Sequence, residues 1–168
     1  MGSIFKFKEF EINQQGCAMK INTDGVLLGA LVNSQHPSRI LDIGTGTGVI
    51  AMMLAQRFPL SQVDAVEIDE DAFATAIQNF QNSAFSSRLQ GYSGSFEDLI
   101  DVDNYDLLVS NPPFYTNSLH NPDLRKKLAR HTDFDFFDRL LALAKTNLSE
   151  RGELHLILPV ELADYVVR

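Results

Sequence analysis

The sequence lacks tryptophan, has a single cysteine, and contains no apolar run approaching the length of a membrane span. A helix that crosses a bilayer needs about 20 mostly apolar residues, so a membrane protein is excluded. Cys17 has no partner for an internal disulfide, and the N-terminus has no apolar run of signal-peptide length. None of the four histidines has the spacing of a metal-ligand motif. We therefore expect a cytoplasmic protein without a metal site.

Positive charge is also scarce, since 14 Lys and Arg stand against 22 Asp and Glu. Such a balance argues at first against a nucleic-acid partner. The acidic residues are concentrated in one part of the chain, however. Residues 42–106 hold eleven acidic and two basic residues, so the rest of the chain is near neutral. The one dense basic cluster consists of Arg125, Lys126, Lys127 and Arg130. This cluster predicts a site for backbone phosphates, and a solvated helix face is the alternative.

Strand-like and helix-like segments alternate along most of the 168 residues. Apolar runs predict strands at 39–44, 62–69, 89–96, 105–110 and 153–158, and helical spacing predicts helices at 49–58, 69–83 and 136–148. This alternation indicates an α/β fold with a doubly wound, mostly parallel sheet of the Rossmann-like kind. Residues 1–34 break the alternation. There we predict a strand or hairpin over 4–12 and a helix from Gly25, capped by Thr23 or Asp24.

Ligands of open α/β sheets bind where the chain leaves the carboxyl ends of the strands, so the residues at those exits are the candidates for a site. The first exit carries Asp42, Gly44, Gly46 and Gly48. Glycine at alternate positions removes side chains that would keep a ligand from the backbone and the following helix N-terminus. Val49 occupies the last position of a dinucleotide-binding G-x-G-x-x-G pattern, so the match to a pyrophosphate loop is imperfect.

Two further exits carry candidate ligand contacts. Glu67 ends the second strand, 23 residues after Gly44, where a carboxylate suits the hydroxyls of a ribose. That spacing serves NAD and an adenosine-bearing methyl donor equally. At the third exit, Ser95 and Phe96 are candidates for hydrogen bonding to an adenine ring and packing against it, and a plain turn is the alternative.

The fourth exit discriminates between these functions. Asn111, Pro112, Pro113 and Phe114 follow the strand 105–110 directly. The prolines stiffen the backbone and remove two N–H donors. If the Asn111 side-chain oxygen and the Pro112 carbonyl each accept one N–H of a planar amine, the nitrogen is pushed towards pyramidal geometry and its lone pair becomes nucleophilic. Phe114 is then placed to stack on the base that carries the amine.

These motifs, together with the segment 17–30, resemble the S-adenosylmethionine-dependent bacterial tRNA(Val) adenine-N6 methyltransferase family. The resemblance implies methylation of the exocyclic N6 of the adenosine immediately 3′ to the anticodon, with tRNA as partner. It implies that residues 111–114 hold the target base and that Lys20, Thr23 and Asp24 close over the site. It assigns the cofactor to Asp42, Gly44, Gly46, Gly48 and Glu67. As further candidate cofactor contacts we include Ile68, Ser95, Phe96 and Asn111, together with Lys20, Thr23 and Asp24.

The same resemblance implies the class I methyltransferase sheet, whose seven strands are ordered 3-2-1-4-5-7-6. We expect an extension over 1–34 packed on a methyltransferase domain over 35–168 that lacks the last two strands. Guanine N2 in ribosomal RNA, adenine N6 in DNA and glutamine in a release factor are alternative targets of the same chemistry. An NAD-dependent oxidoreductase and a non-catalytic cofactor- or RNA-binding module are alternatives from other classes.

Overall fold

The structure is a computed structural model that describes residues 4–17, 19–99, 104–112 and 122–167, with the backbone alone over 122–133 and at 161, 162 and 165. From β3 onwards the described strands and helices alternate as expected, except that a 3-10 turn over Phe96–Asp98 and no α-helix is described between β5 and β6. The strands are β1 (Ile4–Lys6), β2 (Glu11–Asn13), β3 (Arg39–Ile43), β4 (Gln62–Glu67), β5 (Leu89–Ser93), β6 (Tyr105–Ser110) and β7 (Leu148–Leu156). The helices are α1 (Thr23–Leu31), α2 (Val49–Arg57), α3 (Glu70–Gln81), α4 (Pro122–Asn147) and α5 (Val160–Val166).

Five strands form a parallel sheet in the order β5-β4-β3-β6-β7. This is the expected order of the first five strands, so the prediction of a doubly wound sheet is confirmed. Side chains alternate between the two faces: Ile40 packs with α1, α2 and α3, whereas Leu41 packs on the α4 side. Both are fully buried, as expected for a parallel sheet with helices on both faces.

The segment before the sheet forms a small antiparallel hairpin of β1 and β2. Phe10 and Ile12 are buried in the same hydrophobic cluster as α2 and α3, and the rings of Phe7 and Phe10 stack with centroids 4.5 Å apart. Apolar burial of this kind contributes about 25 cal/mol per Å². The hairpin therefore shares a core with the helices that surround the sheet.

Several predicted boundaries differ from the structure by up to three residues, and those of α4 and β7 were wrong by more. α4 begins at Pro122 rather than near 136, because its first half has few apolar residues at helical spacing but starts with a proline, which is favourable at a helix N-terminus. β7 begins at Leu148 rather than 153, since Leu148 pairs with Tyr105. An irregularity then shifts the register, and the pairing continues with Leu107 and Glu153. None of the described helices combines the length and hydropathy needed to cross a membrane.

Candidate active site

The ends of β4, β3 and β6 lie side by side, and hydrogen bonds join them at their carboxyl edge. The amides of Gly44 and Thr45 donate to the carbonyl of Val66 on β4, at 2.9 and 3.1 Å. On the other side, the buried Ser110 hydroxyl of β6 donates to the carbonyl of Ile43, at 2.8 Å. The glycine-rich loop (residues 44–48), Glu67 at the end of β4 and Asn111 after β6 therefore lie at one edge of the sheet.

The three glycines of the loop have two different structural roles. All have positive φ, with values of 71° at Gly44, 58° at Gly46 and 82° at Gly48, a backbone region that other residues adopt only with strain. A Cβ at Gly44 or Gly46 would have no atom of the described residues within 4 Å, whereas one at Gly48 would lie 2.5 Å from Cε1 of Phe80. Gly44 and Gly46 therefore border open space, and Gly48 allows α3 to pack closely against the start of α2.

Asp42 is fully buried beneath this loop. Its Oδ2 accepts hydrogen bonds from the Thr45 hydroxyl at 2.6 Å and from the Ala51 amide at 3.1 Å. Its Oδ1 is buried without a partner in the part of the chain that the structure describes. Burial, with a smaller effect of the Glu67 charge, raises the pKa of Asp42 to about 7 against the two hydrogen bonds. An N–H donor or a cation at Oδ1 would offset the free-energy cost of burying the charged carboxylate.

Glu67 connects the glycine-rich loop with the start of α3. Its side chain is buried, and its Oε2 accepts from the Gly46 amide at 2.8 Å while its Oε1 accepts from the Asp69 amide at 3.0 Å. Each carboxylate oxygen can accept a second hydrogen bond, so the predicted contact with ribose hydroxyls stays a prediction. The neighbouring Ile68 is a large apolar side chain with 73% of its surface exposed, and it provides an apolar surface beside the acid.

At the third exit, Ser95 caps a single 3-10 turn over Phe96–Asp98. The Ser95 hydroxyl accepts from the Glu97 amide at 3.3 Å, and Asp98 Oδ2 accepts from the Ser95 amide at 3.1 Å. The Phe96 ring is buried edge-on against Phe136, with centroids 5.5 Å apart. These contacts explain both residues structurally, and their predicted role beside an adenine stays a prediction.

Asn111 lies immediately beyond β6, half-buried, next to the start of α1. Its Nδ2 donates to Oδ1 of Asn22, at 3.4 Å. Pro112 is buried, and the predicted clamp residues Pro113 and Phe114 lie outside the described residues. The exit of β6 and the N-terminus of α1 are therefore in direct contact.

The remaining predicted residues lie near this contact or on α4. Thr23 and Asp24 form the first turn of α1, and Lys20 is exposed in the segment before it. The prediction that Thr23 or Asp24 caps α1 was wrong, because Asn22 is the N-cap and accepts from the Gly25 amide at 2.8 Å. The basic cluster lies in the first half of α4, where the structure describes the backbone alone, at Arg125, Lys126, Lys127 and Arg130.

Two residues of the site were missed in the sequence, Asn22 and Asn79. Asn22 stands before the helix that starts at Thr23, and asparagine is a preferred N-cap residue, so a capping signal was present. Asn79 is buried within α3, and its amide donates to the carbonyls of Asn13 and Thr47, at 2.9 and 2.8 Å. Nothing local marks Asn79, because both partners are distant in sequence.

Comparison with known proteins identifies the family. The methyltransferase small domain family matches residues 17–164. A protein of Pedobacter heparinus named tRNA1(Val) (adenine(37)-N6)-methyltransferase is 54% identical, over 99% of this chain and 71% of that protein. A protein of Christiangramia forsetii with the same name is 48% identical, over 92% of this chain and 67% of its own. The chain belongs to this methyltransferase family.

Solved structures of other methyltransferases share the fold of this family member. A methyltransferase from Pyrococcus furiosus superposes with a TM-score of 0.63 at 21% identity, covering 90% of this chain and 75% of that one. Precorrin-6y C5,15-methyltransferase from Geobacter metallireducens gives 0.62 at 14% identity, covering 95% and 72%. Among the described residues, no three His, Cys, Asp or Glu side chains are grouped so as to hold a metal ion.

Proposed function

We propose that the protein transfers a methyl group from S-adenosylmethionine to the exocyclic N6 of an adenosine in tRNA, the one immediately 3′ to the anticodon. The observation that carries the proposal is the position of Asn111 and Pro112. They follow β6, whose neighbour β3 leads directly into the glycine-rich loop. A clamp for a planar amine thus adjoins a cofactor loop. The names of the similar proteins support the choice of tRNA and of adenine.

The residues at the ends of β3 and β4 fit the proposed cofactor. Gly44 and Gly46 border open space, where a bound molecule can approach the backbone. The unpartnered Oδ1 of Asp42 suits the N–H of an ammonium group, directly or through water. Glu67 has acceptor capacity left for ribose hydroxyls, and the exposed Ile68 offers an apolar surface for a flat ring. S-adenosylmethionine combines all of these groups.

The proposed chemistry needs positioning more than acid–base catalysis. S-adenosylmethionine supplies an electrophilic methyl group on a sulfonium. The Asn111 side-chain oxygen and the Pro112 carbonyl each accept one N–H of the target amine, which aligns its lone pair with the methyl carbon. The N–C bond would form as the bond between the methyl carbon and the sulfonium sulfur breaks, leaving the neutral thioether S-adenosylhomocysteine. One of the two protons then leaves the nitrogen, so no general base is assigned.

We propose that tRNA is held by two features beyond the cofactor site. Phe114 stacks on a base that is already unpaired or is flipped out of the anticodon loop. Arg125, Lys126, Lys127 and Arg130 bind backbone phosphates, and they follow Phe114 by eleven residues or more. A tRNA substrate also agrees with the expected cytoplasmic location.

Methyl transfer from tritiated S-adenosylmethionine to bulk tRNA, followed by nuclease digestion, tests the proposal. We expect the label in N6-methyladenosine next to the anticodon. Label in N2-methylguanosine, or transfer only to ribosomal RNA, DNA or protein, would support one of the alternative targets.

The clamp mechanism is tested separately by Asn111→Ala. This variant should abolish turnover and leave the affinity for S-adenosylhomocysteine nearly unchanged, because the clamp acts on the target amine. Activity of Asn111→Ala within about threefold of wild type would contradict the clamp mechanism.

Calorimetric titration separates the proposal from an NAD-dependent oxidoreductase. We expect S-adenosylhomocysteine to bind and NAD not to bind. Glu67→Ala should weaken binding by about 1.5–3 kcal/mol, the range for hydrogen bonds to a charged group. Unchanged affinity would remove Glu67 from the cofactor site, and binding without methyl transfer to any RNA would favour the non-catalytic module.

A further inference from the structure

We propose that Asn22 is a positioning residue that fixes which way the side-chain amide of Asn111 faces. The inference rests on the proposed function, in which the carbonyl oxygen of Asn111 accepts an N–H of the target amine. The inference adds Asn22, the N-cap residue of α1, which lies outside the strand ends that carry the glycine-rich loop and the clamp. Its basis is the contact of Asn22 Oδ1 with both Gly25 and Asn111.

The orientation of the Asn22 amide follows from its role as N-cap. The backbone N–H of Gly25 can only donate a hydrogen bond, so the atom of Asn22 that lies 2.8 Å from it must be the oxygen. The same oxygen is 3.4 Å from the Asn111 side chain. An oxygen accepts but does not donate, so Asn111 must turn its NH₂ group towards Asn22.

The orientation of Asn111 decides whether it can act on an amine. With the NH₂ group turned to α1, the carbonyl oxygen lies on the opposite side of the planar amide. In the flipped amide, NH₂ would occupy that side and would meet the N–H of an exocyclic amine donor to donor. The two orientations have nearly the same shape, so packing alone does not separate them. The hydrogen bond to Asn22 does.

The N-terminus of α1 is held firmly enough to serve as this reference. Arg57, at the end of α2, donates to the carbonyls of Gly29 and Val32 at the other end of α1, both at 2.7 Å. A Cβ at Gly29 would lie 2.8 Å from the sulfur of Met53 on α2, so the two helices are in close contact. At the N-terminal end, a Cβ at Gly25 would lie 3.4 Å from Asn111 Nδ2. The packing of α1 on α2 therefore keeps Asn22 beside the exit of β6, although the Asn22 side chain itself is exposed.

Three substitutions at Asn22 separate orientation from helix capping. Asn22→Ala loses both functions. Asn22→Ser keeps a side-chain oxygen for the Gly25 amide, and serine caps helices about as well as asparagine, but its shorter side chain does not reach Asn111. Asn22→Asp keeps both acceptor contacts. Kinetics with saturating tRNA, the affinity for S-adenosylhomocysteine and the thermal midpoint Tm are measured for each variant.

We expect Asn22→Ser to keep its Tm and its affinity for S-adenosylhomocysteine while kcat falls about three- to tenfold, the change that corresponds to one hydrogen bond. Asn22→Asp should restore most of kcat. In ¹⁵N-labelled protein, the side-chain NH₂ signal of Asn111, assigned by its absence in Asn111→Ala, should shift in Asn22→Ser and shift least in Asn22→Asp.

Wild-type kcat and an unmoved Asn111 NH₂ signal in Asn22→Ser would overturn the inference. So would a loss of kcat in Asn22→Ala that Asn22→Ser repairs fully, because helix capping would then explain it. Failure of the proposed function gives a different pattern. In that case the wild type transfers no methyl group to tRNA, or Asn111→Ala remains active.

Discussion

Asn79 on α3 donates a hydrogen bond of 2.8 Å to the backbone carbonyl of Thr47 inside the glycine-rich loop. The same amide donates to the carbonyl of Asn13 in β2 at 2.9 Å, and its oxygen accepts from the Asn13 amide at 2.9 Å. One buried side chain therefore connects the N-terminal hairpin, α3 and the loop of the proposed cofactor site. The hairpin and the loop cannot separate without breaking these bonds.

We predict that Asn79→Ala lowers the free energy of unfolding by about 2–3 kcal/mol, because it removes the partners of the buried Thr47 carbonyl and of the half-buried backbone groups of Asn13. The affinity for S-adenosylhomocysteine should fall as well. Urea denaturation and calorimetric titration measure the two effects. Asn82→Ala, at the exposed end of the same helix, is the matched control and should change the free energy of unfolding by less than about 0.5 kcal/mol. Equal effects of both substitutions would contradict the connecting role of Asn79.

Local patterns were sufficient to predict the sheet and the strand ends that form the candidate site. Apolar runs that stop at Gly44, Glu67 and Asn111 predict where the chain leaves the sheet, and parallel strands bring those exits to one edge. The sequence could not predict Asn79, whose two partners come from elements that meet only in the folded protein. The contact between Asn22 and Asn111 joins residues 89 apart and was missed for the same reason.

The boundaries of α4 and β7 failed for a different physical reason. Helical periodicity detects one apolar face. Six of the thirteen residues in the first half of α4 are charged, so only the part around the buried Phe137 and Leu140 was predicted. In β7, Gly152 directly precedes the predicted strand 153–158. The structure keeps it within the strand, where a Cβ would lie 2.9 Å from the carbonyl oxygen of Tyr105. The glycine allows close approach to β6.

Alanine at Gly44 and at Gly48 should have opposite main effects. Both glycines have similar positive φ, so the backbone strain of the two substitutions is comparable, about 1–2 kcal/mol. The new methyl group meets open space at Gly44 and the ring of Phe80 at Gly48. We predict that Gly48→Ala destabilises the fold more in urea denaturation, whereas Gly44→Ala weakens S-adenosylhomocysteine binding more in calorimetry. Greater destabilisation by Gly44→Ala would show that its surroundings are packed.

Asp42 should make the stability of the protein fall as pH rises towards neutrality. Its pKa is raised from 3.8 to about 7, chiefly by burial, so between these values the folded protein keeps a proton that the unfolded chain has released. The free energy of unfolding therefore falls as pH rises, because folding must keep a proton on the buried carboxyl group. The slope approaches about 1.4 kcal/mol per pH unit from this group alone. Below the ordinary aspartate pKa both states are protonated, and the effect disappears.

Urea denaturation of wild type and of Asp42→Asn between pH values of about 5 and 8 measures this contribution. Asparagine cannot ionise, and its oxygen can still accept from Thr45 and Ala51. The free energy of unfolding of the variant relative to wild type should therefore increase with pH up to about 7 and level off above it, because the other titrating groups cancel in the difference. A difference that does not vary with pH would mean that Asp42 keeps an ordinary pKa in the folded protein.

The basic cluster on α4 should set the salt dependence of RNA binding. Its four residues, Arg125, Lys126, Lys127 and Arg130, stand in a chain of net charge −8. Acidic surfaces repel RNA, so attraction to the phosphates has to come from a local concentration of cations. Each phosphate that a cation neutralises releases condensed counterions, which makes the logarithm of the binding constant fall with the logarithm of salt concentration.

Replacing all four residues by alanine should flatten this salt dependence by about 0.7–0.9 for each phosphate that the variant no longer binds, with no change in S-adenosylhomocysteine affinity. Binding of tRNA is measured by filter retention over a range of salt concentrations. The control removes the same charge from four exposed residues elsewhere, Lys6, Lys8, Lys145 and Arg151. If net charge alone set the salt dependence of tRNA binding, both variants would show the same change. If the cluster binds phosphates directly, only removal of the α4 cluster flattens the slope. An unchanged slope in the cluster variant would leave a solvated helix face as its interpretation.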